Sequence, residues 1–335
     1  MRQERLARFP MKPKILVTRE VFDETLEFLS AHCDVDPNQA DIALDHAKLA
    51  DRLADKEGVM CALTDRIDDA LLARCPKLKV VANIAVGFNN IDLAACTARG
   101  VMATNTPGVL DDSTADLAWA LILGAARRLT ELERRVRVGE WMGWRLKQWL
   151  GIDVHHATLG ILGMGRIGQA IARRAAGFEM KVLYHNRNRV GPDIEQRCRA
   201  TFVTQDELLK QSDFVVLQVP YSRETHHLIG ARELKRMKPT AILINSTRGG
   251  VVDDAALIEA LRSGVIRAAG LDVFENEPRL NPEFLRLDNV VLMPHIGSST
   301  EATRRAMAIT AARNLVAALT GGRPPNLLNP GAKRF

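Results

Sequence analysis

The stretch Gly160-Ile161-Leu162-Gly163-Met164-Gly165-Arg166-Ile167-Gly168-Gln169-Ala170-Ile171-Ala172 decides the fold of this chain. Before it, residues 158–162 read as a short apolar strand. Within it, Gly163, Gly165 and Gly168 are spaced G-x-G-x-x-G. After it, Ile167, Ala170, Ile171 and Ala175 recur at helical spacing. Strand, tight turn and helix in that order are the context a dinucleotide-binding turn requires. One glycine lets the backbone turn, one lets a pyrophosphate approach, and one lets the helix pack on the strand. The helix N-terminus then offers unpaired N–H groups and the positive end of its dipole to the phosphates. Glycine turns are common, so the flanking elements carry this reading rather than the spacing alone.

Working outward, apolar strands are predicted at 181–184, 214–219, 241–245, 268–272 and 290–293, with helices at 206–211, 232–237 and 254–263. An independent series precedes them, with strands at 15–17, 59–63, 79–84 and 101–105 and helices at 20–30 and 91–99. Alternation of this kind argues for parallel sheets. The expected fold is α/β: two Rossmann-like, doubly wound parallel-sheet domains with a cleft between them. Residues 111–296 form the nucleotide domain, inserted into a substrate domain built from 11–110 and 297–335. A helix at 300–319 completes that domain.

Between the two series, Ser113 or Thr114 is expected to cap one long helix running to about Arg137. Leu117 to Ala126 leave it without a polar stripe, so it must be buried on several sides, between domains or at a subunit interface. The segment from Trp141 to Trp149 follows and holds three of the four tryptophans. It reads as a local core plug or as an arm that docks on a partner.

A chain of 335 residues is long for one domain. The net charge of +6 comes from 46 basic and 40 acidic residues. The arginines are scattered or lie on helices without interleaved aromatics, which argues against a nucleic-acid partner. No apolar run is long enough to span a membrane. Residues 1–10 lack the apolar core of a signal peptide and read as an arginine-rich extension, with Met11 nearer the functional start. Cys33, Cys61, Cys75, Cys96 and Cys198 show no paired or metal-binding spacing. They are expected as buried thiols of a cytoplasmic protein, with no metal site.

Three segments at the ends of predicted strands can carry chemistry: Asn245-Ser246-Thr247-Arg248-Gly249-Gly250, Asp272-Val273-Phe274-Glu275-Asn276-Glu277-Pro278, and Pro294-His295-Ile296-Gly297. Singly, Arg248 could cap a turn, Glu277 could be a loop acid like Glu275, and His295 could be a packed histidine. Together, at the strand ends where such sheets bind ligands, they supply a cation, a carboxylate and an imidazole.

These segments, with the glycine turn and Ala85-Val86-Gly87-Phe88-Asn89-Asn90-Ile91-Asp92, resemble the D-isomer-specific 2-hydroxyacid dehydrogenase family over nearly the whole chain. The likeness is closest to the glyoxylate/hydroxypyruvate reductase branch, which includes 2-ketogluconate reductases. It implies a catalytic set of Arg248, Glu277 and His295. Reduction of a 2-keto acid needs a hydride, a proton and a grip on the carboxylate. A nicotinamide cofactor brings the hydride. His295 as imidazolium protonates the carbonyl oxygen, and Glu277 favours that charged form and orients the ring. Arg248 pairs with the substrate carboxylate at two points. Val86 and Gly87 receive the same carboxylate on their N–H groups, and the resemblance adds Trp144 of a second subunit to the pocket.

The expected cofactor contacts are Gly163, Met164, Gly165, Arg166, Ile167, Gly168, Asn186, Arg187, Asn188, Ser246, Thr247, Arg248, Asp272, His295 and Gly297. At the end of the second strand stands His185-Asn186-Arg187-Asn188-Arg189, with no acid to bind the ribose hydroxyls. Arg187 and Arg189 can pair with a 2′-phosphate and Asn186 and Asn188 can hydrogen-bond it, so NADP(H) is expected ahead of NAD(H). The products are D-2-hydroxy acids and the partner is a second copy, giving a homodimer.

The alternatives are a phosphite dehydrogenase, another NAD-dependent member of the family, or a corepressor-like protein that senses the nucleotide. A phosphite dehydrogenase is expected to carry lysine where this chain has Val86. A formate dehydrogenase is expected to carry glutamine where it has Glu277. A phosphoglycerate dehydrogenase would often carry a further regulatory domain, for which the chain has no room.

Overall fold

The computed structural model describes residues 12–332, so the reading of residues 1–10 lies outside the described residues. The chain divides into two units. One takes the residues up to Val109 and those from Thr300 onward; the other is Leu110–Ser299. Residues 297–299 therefore go with the second unit, because Asp272 holds the N–H groups of Ile296 and Gly297.

The first unit opens with β1 (Lys14–Val17), α1 (Asp23–His32), β2 (Asp34–Pro37), α2 (His46–Leu53), β3 (Gly58–Cys61), α3 (Asp69–Arg74), β4 (Val80–Asn83), α4 (Leu93–Ala98) and β5 (Met102–Thr104). The second runs through α5 (Asp111–Ala126), α6 (Leu129–Arg137), β6 (Thr158–Leu162), α7 (Arg166–Ala175), β7 (Lys181–His185), α8 (Pro192–Cys198), β8 (Ala200–Phe202), α9 (Gln205–Gln211), β9 (Phe214–Leu217), α10 (Ala231–Leu234), β10 (Ile242–Asn245), α11 (Asp254–Arg262), β11 (Ala268–Leu271) and β12 (Val290–Leu292). The chain then re-enters the first unit as α12 (Glu301–Leu319).

Both sheets are parallel throughout. The first has the order β2-β1-β3-β4-β5 and the second β12-β11-β10-β9-β6-β7-β8. The central strands are buried on both faces, as parallel sheets require. In the first unit α12 packs on β3, β4 and α1, burying Met307, Ala311, Ala312 and Leu315. The sequence reading missed β2, α2 and α3 in this unit, and α8 and β8 in the second. Asp34-Val-Asp-Pro37 lacks the apolar pattern because β2 is an edge strand, where charge and proline are tolerated. Five cysteines are reduced and buried. Among the described residues no helix is long and apolar enough to cross a membrane.

The single helix expected to reach Arg137 is two helices. It starts at Asp111, and Ser113 does not cap it but donates to Gly297 O at 3.0 Å. The carbonyl of Ala126 accepts from Ile152 N at 3.0 Å, and Arg128 takes a left-handed φ of 57°. A new helix begins at Leu129, with buried Glu131 accepting from both Arg128 and Arg135. Nor does apolar α5 need a partner subunit. It lies on α7, β10 and β11 of its own unit, with Asp112, Asp116 and Ala120 exposed. Trp119 donates to Ile171 O at 3.2 Å and stacks on Phe178.

Candidate active site

In the second sheet the strand order reverses between β6 and β9, the position at which doubly wound sheets bind ligands. The glycine turn leaves β6 at this point. Gly163 has φ +107°, and a Cβ there would fall 2.3 Å from Gln218 O beyond β9. A Cβ on Gly168 would fall 2.1 Å from Gly163 O, so only glycine lets α7 close onto the turn. A Cβ on Gly165 would meet nothing within 4 Å. That open space, at the N-terminus of a ten-residue helix, is the cradle a pyrophosphate requires. The residues present fit a dinucleotide. Arg166 opens α7 and pairs with Asp111 at 2.7 Å, while Ile167 packs into the core.

The loop after β7 differs in detail from expectation. Asn186 Oδ1 accepts from Met164 N at 2.6 Å, so this side chain braces the glycine turn and the Met164 amide is taken. Arg189 is engaged by Glu195 through two bonds of 2.8 Å, and Glu195 also accepts from Tyr184 Oη at 2.6 Å. The expectation that Arg189 is poised for a phosphate is corrected by this network. Arg187 and Asn188 are exposed.

The chemistry-bearing side chains stand on the loops after β10, β11 and β12. Asp272, 1% exposed, takes three successive N–H groups: His295 N on its carbonyl at 2.9 Å, and Ile296 N and Gly297 N on its two carboxylate oxygens at 2.7 and 2.8 Å. This grip holds His295 at φ +56°, a left-handed conformation unusual for a side-chain-bearing residue. Burial pushes the Asp272 carboxyl up, against the two amides and the charge of His295. The His295 ring meets Glu277 Oε2 through Nδ1 at 2.7 Å, and Glu277 Oε1 accepts from Phe274 N at 2.8 Å. Burial works against ionised Glu277. The bond and charge of His295, the Phe274 amide and the Arg248 charge outweigh it and hold the carboxyl below its usual value.

Arg248 is partly buried, and Nη1 donates to Thr247 O at 2.7 Å. Burial pulls its guanidinium down and the Glu277 charge opposes this. Asn245 shapes its loop, accepting from Thr247 Oγ1 at 2.8 Å and donating to Arg248 O at 3.2 Å. Ser246 Oγ accepts from Gln218 Nε2 at 3.0 Å. Arg248, Glu277 and His295 are thus one electrostatic group, with Ser246, Thr247, Asp272 and Gly297 holding the loops that carry it.

Val86 and Gly87 lie in the first unit. Asn105 Nδ2 donates to Val86 O at 2.8 Å and Asn83 Nδ2 to Gly87 O at 2.9 Å. Asn83 is fully buried and Asn105 nearly so. These asparagines hold both carbonyls and were not singled out from sequence; only their positions, at the end of β4 and just after β5, hint at the role. Trp141 and Trp144 are 60% and 80% exposed, which rules out the local core plug for these two, whereas Trp149 is partly buried.

A nucleotide turn at the switch point and a histidine–carboxylate pair beside a partly buried arginine describe a nicotinamide-dependent oxidoreductase. Residues 119–297 match the family model for the D-isomer specific 2-hydroxyacid dehydrogenase, NAD binding domain. The chain is 49% identical over 323 residues to the glyoxylate reductase of Thermococcus onnurineus, covering 95% of this chain and 96% of that one. Among solved structures it is similar to a glyoxylate reductase from Paecilomyes thermophila, with TM-score 0.87 and 33% identity over 97% of this chain and 100% of that one. It is also similar to the NADPH-dependent glyoxylate/hydroxypyruvate reductase of Sinorhizobium meliloti in complex with NADP and malonate, with TM-score 0.85 and 32% identity over 97% and 99%. The chain belongs to the D-2-hydroxyacid dehydrogenase family.

Proposed function

We propose that this protein reduces small 2-keto acids to D-2-hydroxy acids, with glyoxylate and hydroxypyruvate as substrates, 2-ketogluconate as a bulkier one, and NADPH used ahead of NADH. The observation that carries the reading is the His295–Glu277 pair, fixed by Asp272 and set beside partly buried Arg248. The names of the similar proteins agree with it.

A bound nicotinamide supplies the hydride that reduces the carbonyl. Because Nδ1 faces Glu277, His295 presents Nε2 to the substrate and delivers the proton there as negative charge develops on oxygen. Glu277 stays ionised and stabilises the imidazolium that gives the proton up. Arg248 holds the carboxylate and draws charge from the carbonyl. Val86 and Gly87 contribute their N–H groups to the same carboxylate; the carbonyls of those two peptide groups, Ala85 O and Val86 O, are taken by Thr106 N and Asn105 Nδ2. Arg187 and Asn188 receive the 2′-phosphate, and Asn186 acts from behind by bracing the turn.

The protein acts as a homodimer through the arm rather than through α5. Trp141, Met142, Trp144, Leu146 and Leu150 form an exposed apolar run, which a second copy would cover. Trp144 then reaches the partner's substrate pocket.

Oxidation of NADPH and of NADH, followed with glyoxylate, hydroxypyruvate, 2-ketogluconate and pyruvate, tests the activity. No turnover with any of the four removes the reading. Light scattering tests the assembly, since a mass near 37 kDa, that of one chain, contradicts the dimer.

A further inference from the structure

A second histidine–carboxylate pair lies outside the catalytic set and touches both the arginine loop and the glutamate loop. His227 follows β9, and its N–H donates to Gly250 O at 2.7 Å, two residues past Arg248. Its Nε2 meets Glu275 Oε1 at 2.6 Å, two residues before Glu277. One residue thus grips the arginine loop by its backbone and the glutamate loop by its side chain. Around it, Asp253 stands 3.9 Å from Nδ1, and His226 stacks on the ring with centroids 3.9 Å apart. His226 in turn meets Tyr221 Oη at 3.2 Å.

The two loops touch elsewhere as well. A Cβ on Gly249 would fall 1.7 Å from Phe274 O, so the backbones are in direct contact. Asp254 at the head of α11, 5% exposed, accepts from Glu275 N at 3.0 Å. Burial, joined by the charges of Glu275 and Asp253, pushes that carboxyl up to about 6, against the Glu275 amide and His227. β10 ends at Asn245 and β11 at Leu271, so sheet hydrogen bonds no longer fix these loops where the chemistry stands. Side-chain ties must set the spacing instead.

From this geometry we infer that His227 is a positioning residue: paired with Glu275, it holds the Arg248 loop and the Glu277 loop at the spacing that proton transfer to a gripped substrate needs. An exposed ion pair adds little to stability by itself. Its effect is on geometry, where a displacement of about 1 Å can cost a hundredfold in rate. The inference rests on the proposed keto-acid reduction for its kinetic readout and on the loops alone for its structural one.

The test compares the full chain with His227→Ala, Glu275→Ala, the double variant and His227→Gln, in glyoxylate reduction with NADPH and in amide hydrogen exchange. Each single alanine variant should lower kcat about tenfold while the KM for NADPH stays within about twofold. The double variant should be no slower than the slower single one. His227→Gln, whose amide can still donate to Glu275, should recover most of the loss. Exchange across residues 273–277 should quicken in the alanine variants, with the thermal midpoint nearly unchanged. A kcat within twofold of the parent, or losses that multiply in the double variant, would overturn the inference. Should the parent itself reduce no keto acid, the proposed function fails instead. Exchange then decides alone, and unaltered protection at 273–277 in His227→Ala removes the tie.

Discussion

Two histidine–carboxylate pairs share one loop, and their geometry is nearly the same. His295 meets Glu277 at 2.7 Å and His227 meets Glu275 at 2.6 Å. Side-chain exposure barely separates them, at 25% and 28% for the first pair and 38% and 29% for the second. What differs is the surroundings. Both histidines take a left-handed backbone, at φ +56° and +52°, but His295 is held by three successive amides on Asp272, and its glutamate lies in the field of partly buried Arg248. His227 has an ordinary tie to a glycine carbonyl and a second imidazole stacked on it, with further carboxylates nearby. A histidine–carboxylate contact is therefore no evidence of proton transfer by itself. In the proposed reading, the neighbouring cation and the grip of Asp272 make the first pair the proton donor, and the second holds loops.

The sharpest break between the pairs should come from His295→Asn. Turnover should fall by roughly 10²–10⁴, the range for loss of a general acid, with NADPH binding intact by fluorescence titration. A loss no larger than that of His227→Ala would erase the distinction. Arg248→Lys comes next. An ammonium cannot copy a planar two-point grip, so kcat/KM for glyoxylate should drop roughly a hundredfold. An unchanged KM and kcat would show that the carboxylate is held elsewhere.

Arg187→Ala combined with Asn186→Asp leaves both pairs alone and serves as their control. The ratio of kcat/KM for NADPH over NADH should fall about tenfold or more, because a phosphate partner is lost and a repelling acid is gained. Asp at 186 can still accept the Met164 amide, so the turn should survive. If the ratio does not move, the 2′-phosphate lies off this loop.

The smallest effect separates the two acids that flank the loop contacts. Glu277 is held below its usual value, so its stabilising share is present above that value and is lost as pH falls through the folded one. Asp254 is the reverse. Its carboxyl rises from 3.8 to about 6, so the folded state holds the proton longer and stability declines as pH rises across that window. At neutral pH the cost is about 3 kcal/mol at most. Asp254→Asn should raise the thermal midpoint by several degrees at pH 7.5 and not at pH 3.5. Equal shifts at both would show that Asp254 is not the group that titrates.

The readings legible in the sequence were those in which the pattern lies in consecutive residues. The glycine turn was legible because glycine sterics act locally: the structure shows the demand at Gly163 and Gly168, while Gly165 faces open space. Arg248, Glu277 and His295 were legible because each follows an apolar strand, so the topology brings them to one sheet edge. The long helix was misread because its break at Ala126 depends on Ile152, 26 positions away. Its apolar surface was assigned to an interface for the same reason, since the neighbouring α7 and β10 that cover it are remote in sequence. Arg189 looked available until Glu195 and Tyr184 were seen around it.

By itself, then, the sequence determined two parallel α/β units, a glycine turn between strand and helix, and three candidate groups at strand ends, because backbone periodicity and glycine sterics act over a few residues. Tertiary structure alone decided which arginines are already paired, which apolar surfaces stay exposed and where the long helix breaks, and it places Glu277, which the resemblance named, against His295. Those depend on distances between segments that the chain brings together only on folding, and a histidine carries no mark in sequence of the carboxylate it will meet.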